Sequence, residues 1–255
     1  MRQQLNSEIV NLLWTGGWDS TFQLLQLLLV HHSCVMPFYL IHPDRPSTGV
    51  ELKTIKAIRA FLFKEYPFTK DLLQPGQYSS VSDLAPDPEI TSAFQEIIKE
   101  KKMGSQYEGL ARFCNQFAFA DMQLCIHRDD KAHRVIEGLV SKDDQYAYDV
   151  YRLDPRDRMK REYVLFGYFS FPIFNLTKRE MAAIAEQRGW TAIMNMTWFC
   201  HRPNKNMQPC GRCKPCIYTI EEGLGWRLPL TSRMAYTFQN RLIWPIQSRV
   251  RRYLH

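Results

Sequence analysis

The stretch Thr15–Thr21, with the sequence TGGWDST, constrains the fold of this chain more than any other. The mostly apolar run Ile9–Trp14 precedes it and predicts a buried parallel strand, and the apolar segment after it predicts a helix over Ser20–His31. Glycines let the backbone approach an anion without a Cβ in the way, and the N–H groups that open a helix favour negative charge. The order of strand, glycine turn and helix therefore predicts a phosphate-binding turn.

Two better-known phosphate loops are excluded, because the chain has neither Gly-x-x-x-x-Gly-Lys-Ser/Thr nor Gly-x-Gly-x-x-Gly. The motif is Ser/Thr-Gly-Gly-x-Asp-Ser/Thr, which resembles the PP-loop of the ATP pyrophosphatases. That resemblance implies catalytic roles for Asp19 and Ser20, with Mg²⁺ held near Asp19. The alternative is an ordinary strand-to-helix turn in which Asp19 only caps the helix. The residues expected to bind ATP in the turn are Thr15, Gly16, Gly17, Trp18, Asp19, Ser20 and Thr21.

Four of the seven cysteines lie close together with the spacing C-x9-C-x2-C-x2-C, namely Cys200, Cys210, Cys213 and Cys216. Thiolates two residues apart in a tight turn can take neighbouring corners of a tetrahedron, the geometry that Zn²⁺ prefers. Disulfides are disfavoured, because the N-terminus lacks the apolar core of a signal peptide and a cytoplasmic location, where thiols stay reduced, is expected. Structural zinc is therefore predicted, and an iron–sulfur cluster, which four cysteines also serve, is the alternative.

Together the two signatures resemble the QueC family of 7-cyano-7-deazaguanine synthases. The segment Cys210–Cys216, with the sequence CGRCKPC, matches the metal knuckle of that family. Thr197–Cys200 resembles the Thr-x-x-Cys that opens its metal site, and Phe171–Ile173 followed by Thr177–Glu180 resembles the strand and helix start upstream. The resemblance implies that Lys178 neutralises phosphate charge, although a position at the surface start of a helix is the alternative.

Two segments of the family pattern are missing. His42–Pro46 stands where the family has Gly-Gln-Arg-His, and Ala111–Asn115 matches its Pro-Gly-Arg-Asn only faintly. Both segments are expected to line the substrate pocket in QueC. The ATP chemistry is therefore better supported than the nucleobase substrate.

The activity implied by the resemblance is that of an ATP-dependent carbon–nitrogen ligase. It adenylates the carboxylate of a 7-deazaguanine, releases pyrophosphate, and uses ammonia to form an amide and then a nitrile. A first alternative keeps the adenylation but joins it to a protein or nucleic-acid acceptor, as QueC-like proteins occur in bacterial antiviral defence systems. A second alternative is a non-catalytic nucleotide- or RNA-binding module built on the zinc knuckle.

Alternating strand and helix patterns predict an α/β fold. We expect a Rossmann-like, adenine nucleotide alpha hydrolase-like parallel sheet with helices on both faces and a C-terminal Cys₄ zinc knuckle. The expected domains are a PP-loop domain over 1–190, the knuckle over 191–225 and a basic aromatic extension over 226–255. Further strands are predicted at Val35–Ile41, Thr69–Leu73, Met122–His127 and Phe169–Phe174, and further helices at Thr48–Tyr66, Ile90–Lys102, Ser105–Ala120 and Thr177–Arg188. Capping boxes are predicted at the starts of the first and last of these helices.

Ligands of such sheets bind at the carboxyl ends of the strands. This rule places the turn, His42–Arg45 and His127–Asp130 around one crevice, with His42 as a nucleotide-binding residue. His127 is an acid–base candidate, and a strand-end histidine that only makes hydrogen bonds is the alternative. Asp129 and Asp130 are expected to hold Mg²⁺ or to orient the substrate, with a solvated acidic turn as the alternative. Arg112 is expected to project from its helix toward the same crevice.

The formal charge of +7 favours anionic partners such as nucleotides, RNA or acidic proteins. From Leu224 onward the chain carries arginines and aromatic residues but no acid, which suits either a nucleic-acid-binding tail or a packed helix. We favour packing on the body or on a twin subunit, with Trp226, Phe238 and Trp244 largely buried. A homodimer and no membrane association are expected.

Overall fold

The computed structural model describes residues 9–238 of the chain. The strands in this part are β1 Val10–Leu13, β2 Val35–Ile41, β3 Gln77–Ser80, β4 Met122–Gln123, β5 Val140–Lys142, β6 Tyr151–Leu153 and β7 Phe169–Ser170. The α-helices are α1 Trp18–Leu25, α2 Thr48–Glu65, α3 Thr69–Leu72, α4 Pro88–Glu100, α5 Gln106–Gln116, α6 His133–Ile136, α7 Arg161–Phe166, α8 Lys178–Gln187, α9 Thr191–Asn195, α10 Lys214–Thr219 and α11 Leu230–Thr237. Single π-helical turns, Gln26–Val30 and Ile220–Leu224, continue α1 and α10.

Five parallel strands form the main sheet in the order β3-β2-β1-β4-β7. Leu12 packs with α1, α2 and α8 on one face, whereas the next residue, Leu13, packs with α4, α5 and α7 on the other. Alternate residues of a strand point to opposite faces, so this division places apolar helices on both sides of the sheet. The predicted α/β fold, with a parallel sheet covered on both faces, is confirmed.

The region 128–162, whose charged sequence shows no clear pattern, contains α6 and a small antiparallel hairpin of β5 and β6. Tyr151 of this hairpin exchanges backbone hydrogen bonds with Phe171, just after β7. The hairpin is therefore attached to the edge of the main sheet.

The predicted strand at Thr69–Leu73 is wrong, because α3 occupies Thr69–Leu72. The Thr69 hydroxyl donates to the Tyr66 carbonyl, which favours a local turn over an extended strand. The third strand is Gln77–Ser80, inside a segment rich in turn residues. This strand lies at the edge of the sheet, where an apolar pattern is not required.

The two predicted capping boxes have different outcomes. At α8 the box is present, since the Thr177 hydroxyl accepts from the Glu180 N–H at 3.2 Å and Glu180 accepts from the Thr177 N–H at 2.7 Å. At α2 it is absent, because the N-cap is Ser47 and the Thr48 hydroxyl donates to the His42 carbonyl. The carboxylate of Glu51 is instead engaged by Tyr39 and Ser47, at 2.7 and 2.6 Å.

The last helix of the described residues, α11, packs on the cysteine knuckle through Ser232, which is buried and donates to the Pro209 carbonyl. The opposite side of this segment faces solvent, since the side chains of Trp226 and Phe238 are 54% and 59% exposed. The predicted burial of these two aromatics is therefore wrong, and Trp244 lies outside the described residues. In residues 9–238 no helix has the length and apolar character needed to cross a membrane.

Candidate functional site

The turn between β1 and α1 is built around Gly16, whose φ of +70° favours glycine. A Cβ at this position would lie 3.2 Å from side-chain atoms of Thr54 and Ile55, so the turn packs tightly on α2. The Trp198 N–H donates to the Gly16 carbonyl at 3.0 Å. The turn is thus held both by α2 and by the segment that leads into the knuckle.

The start of α1 leaves several polar groups without partners. The first helical bond runs from the Thr21 N–H to the Gly17 carbonyl at 3.0 Å, so the N–H groups of the preceding residues have no carbonyl within the helix. In addition, Trp18 Nε1, Asp19 Oδ1 and Ser20 Oγ are buried without a hydrogen-bond partner in the described residues. Because such groups are rarely left unpaired, this turn fits a polar ligand.

A charged cluster lies beside the turn. Lys178 Nζ, at the start of α8, lies 2.8 Å from Glu222 Oε2 and 3.7 Å from Asp19 Oδ2. Burial by itself lowers the pKa of Lys178, but the charges of Asp19 and Glu222 outweigh it and raise that pKa. For the acid Glu222 burial has the opposite effect and raises the pKa, although the charge of Lys178 partly counteracts it. Lys178 therefore keeps its positive charge next to the turn.

His127 and Asp129 join this cluster from the loop after β4. His127 Nδ1 accepts from the Asp129 N–H at 3.2 Å, which leaves Nε2, 3.9 Å from Asp19 Oδ2, to carry the proton. Asp129 Oδ2 accepts from the Lys178 N–H at 3.1 Å. Asp130 closes its own loop by accepting from the Ala132 N–H at 2.9 Å.

The other expected site residues have different surroundings. Thr15 is exposed at the mouth of the turn, whereas Thr21 is fully buried and its hydroxyl accepts from Trp14 Nε1 at 3.0 Å. His42 follows β2, where burial and then the charge of Arg45 lower its pKa. Arg112 donates to the Leu84 carbonyl at 3.1 Å, and no contact with the turn is recorded for it in residues 9–238.

The sulfur atoms of Cys200, Cys210, Cys213 and Cys216 all lie within 4.8 Å of one another. Three of their separations are 3.9, 3.8 and 3.5 Å. The N–H groups of Arg212 and Cys213 donate to Cys210 Sγ at 3.4 and 3.3 Å, as expected where backbone amides support a thiolate. These four cysteines form a metal-binding site.

The knuckle is completed by Gly211, whose φ is +72°. A Cβ there would lie 2.0 Å from the Ser232 carbonyl oxygen, so only glycine allows α11 to pack at this distance. On the other side, Trp198 Nε1 donates to the Cys200 carbonyl at 2.7 Å. Since the Trp198 N–H also holds Gly16, one residue joins the metal site to the turn.

Two residues of this region, Glu222 and Arg227, were not predicted from the sequence to belong to the site. Glu222 belongs to the π-helical turn after α10, and Arg227 lies in a short 3₁₀ turn that follows it. Glu222 follows Cys216 by six residues, and this position on the helix leaving the knuckle is the one signal that points to it. Arg227 is the first arginine of the basic C-terminal segment, and its sequence gives no sign that it returns to the turn.

Comparisons with known proteins found one family model that matches the segment containing the four cysteines. Residues 167–223 match the family model described as the queuosine biosynthesis protein QueC. Among curated proteins no sequence matches the chain significantly. A solved structure, that of the U34-tRNA thiolase NcsA from Methanococcus maripaludis with its [4Fe-4S] cluster, is 15% identical with a TM-score of 0.39. The match covers 75% of this chain and 61% of that chain. The recognition of this chain as QueC-like is confirmed by the family match over residues 167–223.

Proposed function

We propose that this protein is an ATP-dependent adenylating enzyme that cleaves ATP to AMP and pyrophosphate at the turn before α1. The observation that carries the proposal is the group of buried, unpartnered atoms Trp18 Nε1, Asp19 Oδ1 and Ser20 Oγ at the start of α1, with Lys178 Nζ 3.7 Å from Asp19 Oδ2. Trp18 Nε1, the Ser20 hydroxyl and the helix N-terminus are donors that a phosphate chain would satisfy, whereas Asp19 Oδ1 is an acceptor that suits a cation bound with it. The family match over residues 167–223, which contain Lys178, Glu222 and all four cysteines, supports the same chemistry.

In the proposed reaction a substrate carboxylate oxygen attacks the α-phosphorus of ATP. The bond from that phosphorus to the bridging oxygen breaks, and pyrophosphate leaves with the electron pair. Lys178 stabilises the charge that develops on the leaving group, and the N–H groups at the start of α1 orient the phosphates. Oxygens of Asp19 and Glu222 suit Mg²⁺, which would neutralise phosphate charge when bound.

We propose a 7-deazaguanine carboxylate as the acceptor, by resemblance to QueC. Ammonia would displace AMP to give an amide, and a second activation would dehydrate that amide to a nitrile. A macromolecular acceptor is the second candidate. It is favoured by an apolar stripe next to the knuckle, formed by Trp226, Leu230, Met234 and Phe238, whose side chains are 54%, 69%, 70% and 59% exposed.

We propose Zn²⁺ as the metal of the knuckle. Four thiolates about 2.3 Å from one tetrahedral ion have sulfurs about 3.8 Å apart. Three of the separations, 3.5 to 3.9 Å, fit this value, and all four sulfurs lie within 4.8 Å of one another. In a [4Fe-4S] cluster each thiolate binds a different iron, which spreads the sulfurs further. Elemental analysis of the purified protein should find close to one zinc per chain, and iron with visible absorption would contradict this.

The proposed function is tested by measuring pyrophosphate release from ATP with a panel of 7-deazaguanines. Asp19→Ala and Ser20→Ala should abolish release while leaving the circular dichroism spectrum intact. Asp144→Ala, at an exposed position in the loop between β5 and β6, is the matched control and should behave as wild type. Full turnover by both turn variants, or release of phosphate and ADP by the wild type, would refute the proposal.

A further inference from the structure

Arg227 holds its guanidinium group between two aromatic rings. Its Cζ lies 4.8 Å from the centroid of the Trp18 ring and 4.8 Å from that of Phe199. Nη2 donates to the carbonyl and the hydroxyl of Thr197, at 2.5 and 2.6 Å. The group is therefore fixed in place by stacking and by hydrogen bonds from one of its nitrogens.

This positive charge has no close counter-ion in the described residues. Within residues 9–238 no carboxylate oxygen lies within 4 Å of Arg227, in contrast to the 2.8 Å pair of Lys178 and Glu222. Burial lowers the pKa of Arg227 to about 10, partly offset by the more distant charge of Asp19, so the group remains charged at neutral pH. A charge that is mostly removed from water without a close partner is costly, unless a ligand supplies one.

The free donors of Arg227 lie beside the phosphate-binding turn. Trp18, which stacks with the guanidinium, is the first residue of α1. Nη2 is used by Thr197, whereas Nε and Nη1 make no recorded hydrogen bond in the described residues. Neither nitrogen is among the fully buried atoms that lack a hydrogen-bond partner, so each keeps some contact with solvent. Two donors of a planar fork therefore remain unpaired in the described residues, on a group that stacks on the first residue of α1.

We propose that Arg227 binds the phosphate chain of ATP and then the pyrophosphate product at the turn before α1. A guanidinium group with two free N–H donors matches two phosphate oxygens, which a lysine cannot do. Lys178 already shares its charge with two carboxylates, so Arg227 supplies the cation that the ligand neutralises. This inference rests on the proposed function, since it names the residue that recognises the phosphates at the same site.

The test measures binding of inorganic pyrophosphate with Mg²⁺ by calorimetry and the KM for ATP by pyrophosphate release. Arg227→Met keeps an apolar group between the rings and removes the charge, and it should weaken pyrophosphate binding and raise the KM about tenfold or more. Arg227→Lys keeps the charge and loses the fork, so its affinity should lie between those of Arg227→Met and wild type. Arg233→Met, an exposed arginine on α11, is the matched control and should bind as wild type.

Pyrophosphate affinity of Arg227→Met within twofold of wild type would overturn the inference. If that variant loses metal or fold, Arg227→Lys decides, and wild-type affinity and KM in a folded Lys variant would also overturn it. Failure of the proposed function gives a different result. If the wild-type protein binds pyrophosphate through Arg227 but never releases it from ATP, the anion site is supported and the proposed enzymatic function is refuted.

Discussion

Two buried polar networks in this protein differ in how completely their groups are paired. Next to the centre of the sheet, Gln23 Nε2 donates to Gln123 Oε1 at 2.9 Å, and Gln123 Nε2 donates to the Tyr148 hydroxyl at 2.8 Å. The second network lies at the edge of the sheet where the strands have their carboxyl ends, called the carboxyl edge below. There Lys178 bridges Asp19 and Glu222, yet Asp19 Oδ1 and the neighbouring Ser20 Oγ have no partner in the described residues.

We interpret this difference as one between a structural network and the ligand-binding network proposed above. A buried network in which each bond is made stabilises the fold, because any vacancy leaves a group without the hydrogen bonds it had in water. An incomplete network persists where the fold is stabilised elsewhere and a ligand supplies the missing partners. Substitutions in the glutamine network should therefore change stability alone, and those at the carboxyl edge should change ATP chemistry.

The largest effect is expected from Cys213→Ser, which removes one thiolate of the metal site. The metal should be lost and the C-terminal third should unfold, because metal binding and folding of such knuckles are coupled. Affinity for ATP should fall as well, since Trp198 joins Cys200 to Gly16. Metal analysis and hydrogen exchange test this, with Cys34→Ser as control. Retained metal, or loss of exchange protection in β4 equal to that in the knuckle, would contradict it.

Lys178→Met should lower pyrophosphate release about 100-fold, because it removes a preorganised cation from the charge developing on the leaving group. The variant should fold, since the carboxylates of Asp19 and Glu222, which both contact Lys178, can take up a proton or a cation in its place. Steady-state kinetics measure the effect. Lys142→Met, which breaks the exposed pair with Asp149, is the matched control. If both variants lose activity equally, the effect of Lys178 is not specific to the proposed site, and the prediction is wrong.

Gln123→Leu should lower the free energy of unfolding by about 1–3 kcal/mol, because the Gln23 amide and the Tyr148 hydroxyl lose their buried partner. The KM for ATP of the folded variant should not change. Chemical denaturation and pyrophosphate release measure the two quantities. A tenfold rise in KM would show that the glutamine network also serves the ligand, and the comparison between the two networks would fail.

The smallest effect is expected from Thr177→Ala, which removes the side-chain cap of α8 and should cost about 1 kcal/mol. Because Lys178 is the first residue of that helix, a small rise in the KM for ATP should accompany the loss. Thr191→Ala, on an exposed threonine that opens α9 without a side-chain cap, is the control for both measurements. No change in stability would mean that the Asp129 contact alone orders the start of α8.

Features that depend on neighbours in the chain were predicted well from the sequence. The turn, the knuckle and the cap at Thr177 each involve residues within a short stretch, where spacing alone restricts the geometry. The same reasoning was wrong at Thr48, because the Glu51 side chain is bound by Tyr39 on β2 rather than by the start of its own helix. It was also wrong at Phe238, since the packing of Ser232 on the knuckle turns the apolar side of α11 outward.

The sequence by itself determined the α/β order, the glycine turn before α1 and the four-cysteine knuckle, because each is set by local spacing and by the period of apolar residues. Only the tertiary structure decided which charges meet at the turn. Asp19, Lys178 and Glu222 come from distant parts of the chain, and Arg227 reaches Trp18 because the chain returns past the knuckle. Contacts between distant residues depend on how the helices and strands pack against one another, which no short-range sequence pattern specifies.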